Sequence, residues 1–356
     1  VRVLVYEWVT AGGWRTAAPE AGGPPPPGIV AEGRAMVAAL VRDAARDPEI
    51  TVEVLVDAAD PAEWLSGPRG SGPDLVRVPA GSEPGRLRDR AAAADWTIVV
   101  APESDGVLAA RVAAARAAGG RVAGCEPGFL AVAADKQATA VALAAAGVPV
   151  PAGRALAAGG DVPAGFHLPA VRKARGGAGG EGLVVIRAPA AVAAAPGPTR
   201  LEAFAAGTPV GVSCLCGPRG VIPLPPVVQR FSAGDRPRYL GGRAAGAAGW
   251  SSRAAALACR AVDAVARASR GAAAGWVGVD MIVGAPDDGR DDRVLEVNPR
   301  LTTSFVGLAA VHEESLLAAI VAAASGVLPR LAPVAGREVV FSASGGVEVE
   351  DGRRDS

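Results

Sequence analysis

Lysine is nearly absent from this chain. Of 36 Lys and Arg residues only two are lysines, Lys136 and Lys173. The chain is also rich in Ala, Gly (47) and Pro (30), the mark of GC-rich coding, which drains lysine codons wherever arginine will serve. A lysine that survives such a bias is a candidate for work that arginine's planar fork cannot do, such as setting a compact point charge on a phosphate. Lys173 stands just before a glycine-rich run, Gly176, Gly177, Gly179, Gly180 and Gly182. Gly177, Gly179 and Gly182 match G-x-G-x-x-G in form. The apolar residues 183–186 that follow read as a strand and not a helix, so the context is a β-hairpin with a glycine tip rather than a dinucleotide-binding turn. A P-loop is excluded, because neither lysine is preceded by Gly or followed by Ser or Thr. Bare backbone N–H groups at such a tip can close over phosphate oxygens. A plain flexible hairpin with a solvated lysine has the same sequence.

The second constellation lies further on. Asp280 interrupts the apolar run 277–283, and Glu296 and Asn298 sit two apart in 294–298, so both face one side of a strand. If the two strands pair, two carboxylates and an amide oxygen converge at a strand end. Hard oxygen donors of this kind suit Mg²⁺, which keeps waters and bridges substrate phosphates. Burying those carboxylates without a cation would be costly. The alternative is a solvated sheet face with polar alternation.

These residues need elements to position them. Residues 1–6, 52–56, 97–101 and 121–124 read as short buried strands, and 31–46, 86–94 and 105–118 as helices. This βαβ rhythm predicts an α/β, doubly wound, mostly parallel sheet over about 1–130. A helix from Asp135 to about 146 ends at Gly147 and the Pro149/Pro151 pair. Strands are then expected at 170–174, 183–186, 210–215, 221–222 and 227–231. A helix at 252–270 precedes strands at 277–283 and 293–297, joined by the turn-rich 284–292. A helix at 313–325 and a hairpin around Gly345 and Gly346 finish the chain.

Composition bounds the rest. At 356 residues, half of them apolar, the chain is long enough for about two domains. Lys plus Arg and Asp plus Glu are equal at 36, which gives no general drive toward nucleic acid or a membrane surface. Four Cys do not make a disulfide scaffold, so a reducing cytoplasm is the expected setting. The longest uncharged stretch, 137–153, is broken by Thr139, Gly147 and two prolines and is no transmembrane helix. The start shows no signal-peptide pattern, and it begins at Val1 rather than Met, as if a few residues were missing. Cys214-x-Cys216 without a nearby His reads as packing, His167 and His312 are too scattered for zinc, and no G-x-S-x-G elbow is present.

Taken together the segments resemble the ATP-grasp ligase family over about 135–311. Asp135-Lys136 before a helix, with Gly147-Val-Pro-Val-Pro151 after it, is similar to the family's first lysine segment. Pro169 to Lys173 with the glycine loop resembles its second lysine and phosphate lid. Leu201-Glu202-Ala-Phe204-Ala-Ala-Gly207 looks like its adenine hinge, and Asp280 with Leu295-Glu-Val-Asn-Pro-Arg300 like its metal strands and the arginine beside the transferred phosphoryl. The resemblance implies a pre-ATP-grasp domain at 1–134 and an ATP-grasp domain at 135–330, with a lid at about 150–216 and a metal-binding part at about 217–330. A C-terminal extension at 331–356 completes it. It implies ATP bound by Lys136, Lys173, Gly176, Gly177, Gly179, Gly180, Glu202 and Phe204. Mg²⁺, or Mn²⁺ in its place, would be held by Asp280, Glu296 and Asn298, and Arg300 and Lys173 would act in catalysis. Many family members carry an acid after the hinge glycine for the ribose; Gly207-Thr-Pro-Val210 has none.

Glu7, Thr10, Gly12, Gly13, Glu32 and Tyr239-Leu-Gly-Gly242 resemble the tyramine–glutamate ligase group of methanofuran biosynthesis. Turn chemistry at a strand end is the plainer reading of Glu7 and Thr10, and a helix-start acid that of Glu32. The implied reaction joins the γ-carboxylate of L-glutamate to tyramine or a related aromatic amine through an acyl-phosphate. Small-molecule acid and amine partners are expected, without nucleic acid or membrane, and a homo-oligomer is left open. An ATP-grasp ligase for another pair, or a nucleotide-binding module that has lost catalysis, are the competing readings.

Overall fold

The structure is a computed structural model that describes residues 1–17, 25–65, 72–177, 182–188, 195–244, 249–285 and 287–351. Near the N-terminus come β1 (Arg2–Glu7), α1 (Trp14–Ala17), α2 (Pro27–Ala44), β2 (Thr51–Asp57), β3 (Asp74–Val78), α3 (Glu83–Ala93), β4 (Trp96–Val100) and α4 (Val107–Ala117). The four strands form an all-parallel sheet in the order β3-β2-β1-β4. All of β1 but Arg2 is buried without alternation, as befits a strand covered on both faces. Val3 and Val5 join the core of Met36, Val37 and Leu40 from α2. Leu4 and Tyr6 join that of Leu87, Leu108 and Val112 from α3 and α4. The sheet is doubly wound, as expected.

Two helices follow, α5 (Pro127–Ala133) and α6 (Lys136–Ala145), and the pairing then turns antiparallel. Strands β5 (Gly153–Leu156), β6 (Ala170–Ala174), β7 (Val184–Ile186) and β8 (Thr199–Ala203) form a sheet in the order β5-β8-β6-β7. The larger sheet begins with β9 (Thr208–Gly217), β10 (Gly220–Pro223), β11 (Val227–Phe231) and β12 (Tyr239–Ala244). After α7 (Ser251–Ser269) it gains β13 (Gly275–Val283) and β14 (Arg293–Asn298). After α8 (Ser304–Val311) and α9 (Leu316–Ser325) it gains β15 (Arg337–Ser342) and β16 (Val347–Asp351). Its order is β14-β13-β9-β11-β12-β15-β16, with β10 on β9. Val210, Val212, Cys214 and Cys216 alternate along β9 into one core with Leu257, Ala261 and Val265 of α7, while Leu215 joins the other core with α9. The Cys-x-Cys pair is therefore packing.

Several expectations need correction. Residues 121–124 are not a strand: Val122 makes a single parallel bridge to Thr97 before Gly124 turns the chain toward Pro127. The helix expected from 313 starts at Leu316, because Ser315 caps it by accepting the Ala318 amide at 3.1 Å. The reading missed β3, β5, β8, β12, α1, α5 and α8. The hinge segment runs through β8, a central strand, and leaves it at Phe204.

β9 and α9 approach closely at Gly217. A Cβ at Gly217 would lie 1.8 Å from the Ala323 carbonyl oxygen. Gly217→Ala is expected to destabilise the fold by about 3 kcal/mol, at the high end for overpacking against unyielding backbone. Denaturant unfolding would measure it; an unchanged midpoint would mean the two elements can part without cost.

Candidate active site

Both lysines are buried, Lys136 8% and Lys173 5% exposed, so each ammonium needs a partner. Lys136 opens α6. Asp135 caps that helix by accepting the Gln137 and Ala138 amides at 2.8 and 3.1 Å, and Arg175 grips the same carboxylate. The Lys136 amide donates to the Arg175 carbonyl at 2.9 Å. Its Nζ donates to the Gly177 carbonyl at 2.8 Å and lies 2.9 Å from Glu296 Oε1. The start of α6 is thus stitched to the β6–β7 hairpin. Lys173 Nζ lies 2.7 Å from Glu202 Oε1 and donates to the Leu295 carbonyl at 2.9 Å. Arg200 Nε donates to Glu202 Oε2 at 2.9 Å. Glu202 is therefore shared by two cations, and Phe204 is the exposed ring of that segment on the cavity.

The acids sit on paired strands. Asp280 of β13 stands opposite Glu296 of β14, and Gly278 opposite Asn298. The register shifts just after Asp280, which leaves Leu295 as the extra residue of a bulge. Gln229 Nε2 of β11 donates to Asp280 Oδ1 at 2.7 Å, and Asn298 Nδ2 to Oδ2 at 2.8 Å. Burial, and then the neighbouring Glu296 charge, push Asp280 up to about 6. Two like charges that disfavour one another beside an amide are a donor set a hard divalent cation fits. Among the described residues no group of three or more His, Cys, Asp and Glu could hold a metal, so any such ion would rest on two carboxylates, the amide and non-protein oxygens.

Arg300 stands at the end of β14. Its Nε is 2.8 Å from Glu103 Oε1, both side chains being largely buried, and its Nη1 donates to the Leu301 carbonyl at 3.1 Å. Neither Glu103 oxygen makes a well-directed hydrogen bond, so charge holds the pair. Lys173, Glu202, Gln229, Asp280, Glu296, Asn298 and Arg300 open on one cavity of about 980 Å³, while Lys136 and Glu103 stand behind its wall. Lys173, Glu202 and Phe204 line one part of it, Asp280, Glu296, Asn298 and Arg300 the middle. Trp8, Trp14, Ile29, Glu32, Met36 and Tyr239 line the part beside the parallel sheet.

The fold brings together Lys136, Lys173, Gly177, Glu202, Asp280, Glu296, Asn298 and Arg300, with Gly176 beside Gly177 in the chain. Gly179 and Gly180 lie outside the described residues. Glu7 does turn chemistry: it accepts the Val9 and Thr10 amides at 3.1 and 2.7 Å. Glu32 is not a helix-start acid, since α2 begins at Pro27 and the side chain lines the cavity. Sequence reasoning missed Gln229 and Glu103. Glu103 had a signal, since it follows the carboxyl end of a parallel strand, where such sheets place their sites. Gln229 had only alternation within a short strand.

Two adjacent family models match the sequence: an ATP-grasp domain over residues 133–304 and a pre-ATP-grasp domain over 37–128. The chain carries an ATP-grasp domain preceded by a pre-ATP-grasp domain. No curated protein matches it. Its fold is similar to that of an ATP-grasp superfamily protein from Archaeoglobus fulgidus, at 20% identity and a TM-score of 0.67, covering 99% of this chain and 100% of that one. It is similar to an L-amino acid ligase from Bacillus licheniformis, at 14% and 0.61, covering 95% and 78%. It is also similar to the biotin carboxylase domain of 2-oxoglutarate carboxylase from Hydrogenobacter thermophilus, solved with MgADP, at 16% and 0.64, covering 95% and 73%. No helix among the described residues is long and apolar enough to cross a membrane.

Gln229 offers a test of the acidic pair in this ATP-grasp chain. Gln229→Leu leaves Asp280 with one amide donor instead of two. The Mg²⁺ concentration needed for half-maximal MgADP binding should rise about 10- to 100-fold, the usual cost of losing an outer partner of a metal ligand. Calorimetric titration at several Mg²⁺ concentrations would measure it, and an unchanged requirement would detach Asp280 from metal binding.

Proposed function

We propose that this chain is an ATP-dependent carboxylate–amine ligase acting through an acyl-phosphate, with the γ-carboxylate of L-glutamate as acid and tyramine or a related aromatic amine as partner. The observation that carries the ligase chemistry is the convergence, on one cavity, of Lys173, the Asp280–Glu296–Asn298 group and Arg300, with Lys136 tied to Glu296. The substrate pair rests on the resemblance of Glu7, Thr10, Glu32 and Tyr239 to the tyramine–glutamate group. On this reading residues 1–134 are the pre-ATP-grasp domain, 135–330 the ATP-grasp domain and 331–356 an extension. The switch from parallel to antiparallel sheets and the two family matches support that division.

Each residue then has a physical task. Lys136 and Lys173, with Gly176 and Gly177, bind the triphosphate, and Phe204 packs on the base. Asp280, Glu296 and Asn298 hold Mg²⁺, which when bound offsets phosphate charge. Arg300 carries fixed positive charge toward the transferred phosphoryl and the acid, where preorganisation counts most. The β6–β7 hairpin excludes water that would hydrolyse the acyl-phosphate. Lys136 and Lys173 start out paired to Glu296 and Glu202, so phosphate must compete with buried carboxylates for them.

ADP release with Mg²⁺, ATP and L-glutamate, with and without tyramine and then with tyrosine in its place, tests the reading, with products identified by mass. Amine-dependent release of ADP with a γ-glutamyl amide supports it. ATP hydrolysis only with another acid or amine would keep the ligase and discard this pair. Glu296→Ala should lower ADP release by about 100-fold or more, with a melting curve showing the protein folded. Full turnover in that folded variant would overturn the metal assignment. Chelation with EDTA should likewise stop ADP release, and added Mg²⁺ restore it.

A further inference from the structure

The cavity carries more carboxylates than the ligase reading uses, and their surroundings sort them. Glu7 is closed off: it holds two amides of its own turn, and a Cβ at Gly33 would lie 2.6 Å from its Oε2. Glu202 is held by Lys173 and Arg200, and Glu296 by Lys136. Asp280 is held by two amides. Glu103 stands behind Arg300 and does not line the cavity. Asp105 is exposed at the rim. Glu32 alone among the described lining residues is a half-buried carboxylate with neither hydrogen bond nor ion pair.

Its setting is unusual for a free acid. Burial raises Glu32 above the ordinary carboxylate range, against the opposing charge of Arg300. Glu32 in turn helps to raise the Tyr239 hydroxyl. The same cavity is lined by Trp8, Trp14, Ile29 and Met36; its basic lining residues are Lys173, Arg187 and Arg300, and Arg15, over the Trp14 ring at 4.4 Å, is paired with Asp57. The helix that carries it is fixed from its other end. Asp43 accepts from Ser315 Oγ and the Leu317 amide at 2.9 and 2.8 Å, and Arg46 donates to the Ala309 and His312 carbonyls at 2.5 and 2.9 Å. An unpaired carboxylate held in place on an apolar wall, one step from the phosphoryl arginine, is the seat for a cation that arrives with the substrate.

We propose that Glu32 receives the ammonium of the second substrate and is the base that deprotonates it. This rests on the ligase reading above. The amine docks as R–NH₃⁺ against the carboxylate, with an uncharged, apolar body on the Trp8–Trp14–Met36 wall. Glu32 takes one N–H proton, and the freed lone pair forms the C–N bond at the acyl-phosphate carbon. The C–O bond to phosphate breaks, the phosphate leaves with that electron pair, and the remaining surplus N–H proton goes with it as hydrogen phosphate. Arg300 lies on the phosphoryl side and Glu32 on the amine side, which gives the two reactants opposite electrostatic addresses.

The test compares two nucleophiles. Tyramine is protonated at neutral pH and needs a base, whereas hydroxylamine is largely neutral there and does not. With L-glutamate and Mg²⁺-ATP, Glu32→Gln should lower kcat/KM for tyramine by about 100-fold, in the range for a lost general base. Its hydroxamate yield from hydroxylamine should fall only a few-fold and its KM for ATP should hold. Glu32→Asp should recover part of the tyramine rate. Equal losses with both nucleophiles would mean that Glu32 only shapes the cavity, and no loss with either would mean that it is idle; each overturns the proposal. If the wild-type protein releases no ADP with this pair, the underlying reading fails and the assignment falls with it.

Discussion

The ion pair between Lys136 and Glu296, 2.9 Å across, holds the site together. One partner opens α6 and the other lies on β14, and the same ammonium also donates to the hairpin at Gly177. A second pair, Lys173 with Glu202, repeats the arrangement one layer over and reaches β14 through the Leu295 carbonyl. Buried charges are tolerated only when paired, and a buried pair adds little net stability over apolar packing. What such pairs supply is a defined arrangement. They set two cations at known positions, at the cost of occupying them. On the proposed reading, phosphate and a divalent cation bind by exchange, each charged side chain trading one opposite charge for another.

That exchange explains the local backbone. A regular hairpin would carry Leu295 in its ladder. The bulge at this point adds one residue, and the carbonyl of that residue is the acceptor for Lys173. Asp280 is likewise fixed from two sides, by Gln229 from β11 and Asn298 from β14. The β-sheet supplies these contacts because neighbouring strands present same-face residues at close, repeated spacing. A loop-borne site would have to order each side chain separately and lose more entropy in doing so.

How far the sequence foretold this depends on what each residue type signals. The two lysines were visible because the composition makes lysine rare. Asp280 and Glu296 were visible because a charge inside an apolar strand stands out. Period-two alternation put Glu296 and Asn298 on one face, their meeting with Asp280 was conditional on the two strands pairing, and the antiparallel register supplies that pairing. The partners were less visible. Gln229 is one polar residue in a five-residue strand whose far end is exposed, so alternation carries little information there. The strand nature of 199–203 was hidden by its charged residues. Arg200 and Glu202 look like surface residues until both are seen to be buried as a pair. Residues 121–124 erred the other way: Arg121-Val-Ala-Gly124 read as a strand, where glycine and proline leave room for only one bridge. Glu7 and Glu32 were equivalent as letters, and only the turn amides at one and the lack of a partner at the other separate them.

The pair of Arg300 and Glu103 then decides what the parallel sheet is for. Arg300 lies in the span that matches the ATP-grasp model and Glu103 in the span that matches the pre-ATP-grasp model. Glu103 follows β4 at the carboxyl end of the parallel sheet, the end at which such sheets carry their ligands. A guanidinium this buried, without Glu103, would face the cavity with its Nε uncompensated. With it, one edge of the guanidinium is neutralised from behind while the rest keeps its charge for the cavity. The parallel sheet is therefore no detachable neighbour. It supplies the counter-charge that lets the last residue of the acidic motif remain a buried cation, and through β1 and α2 it supplies the wall opposite.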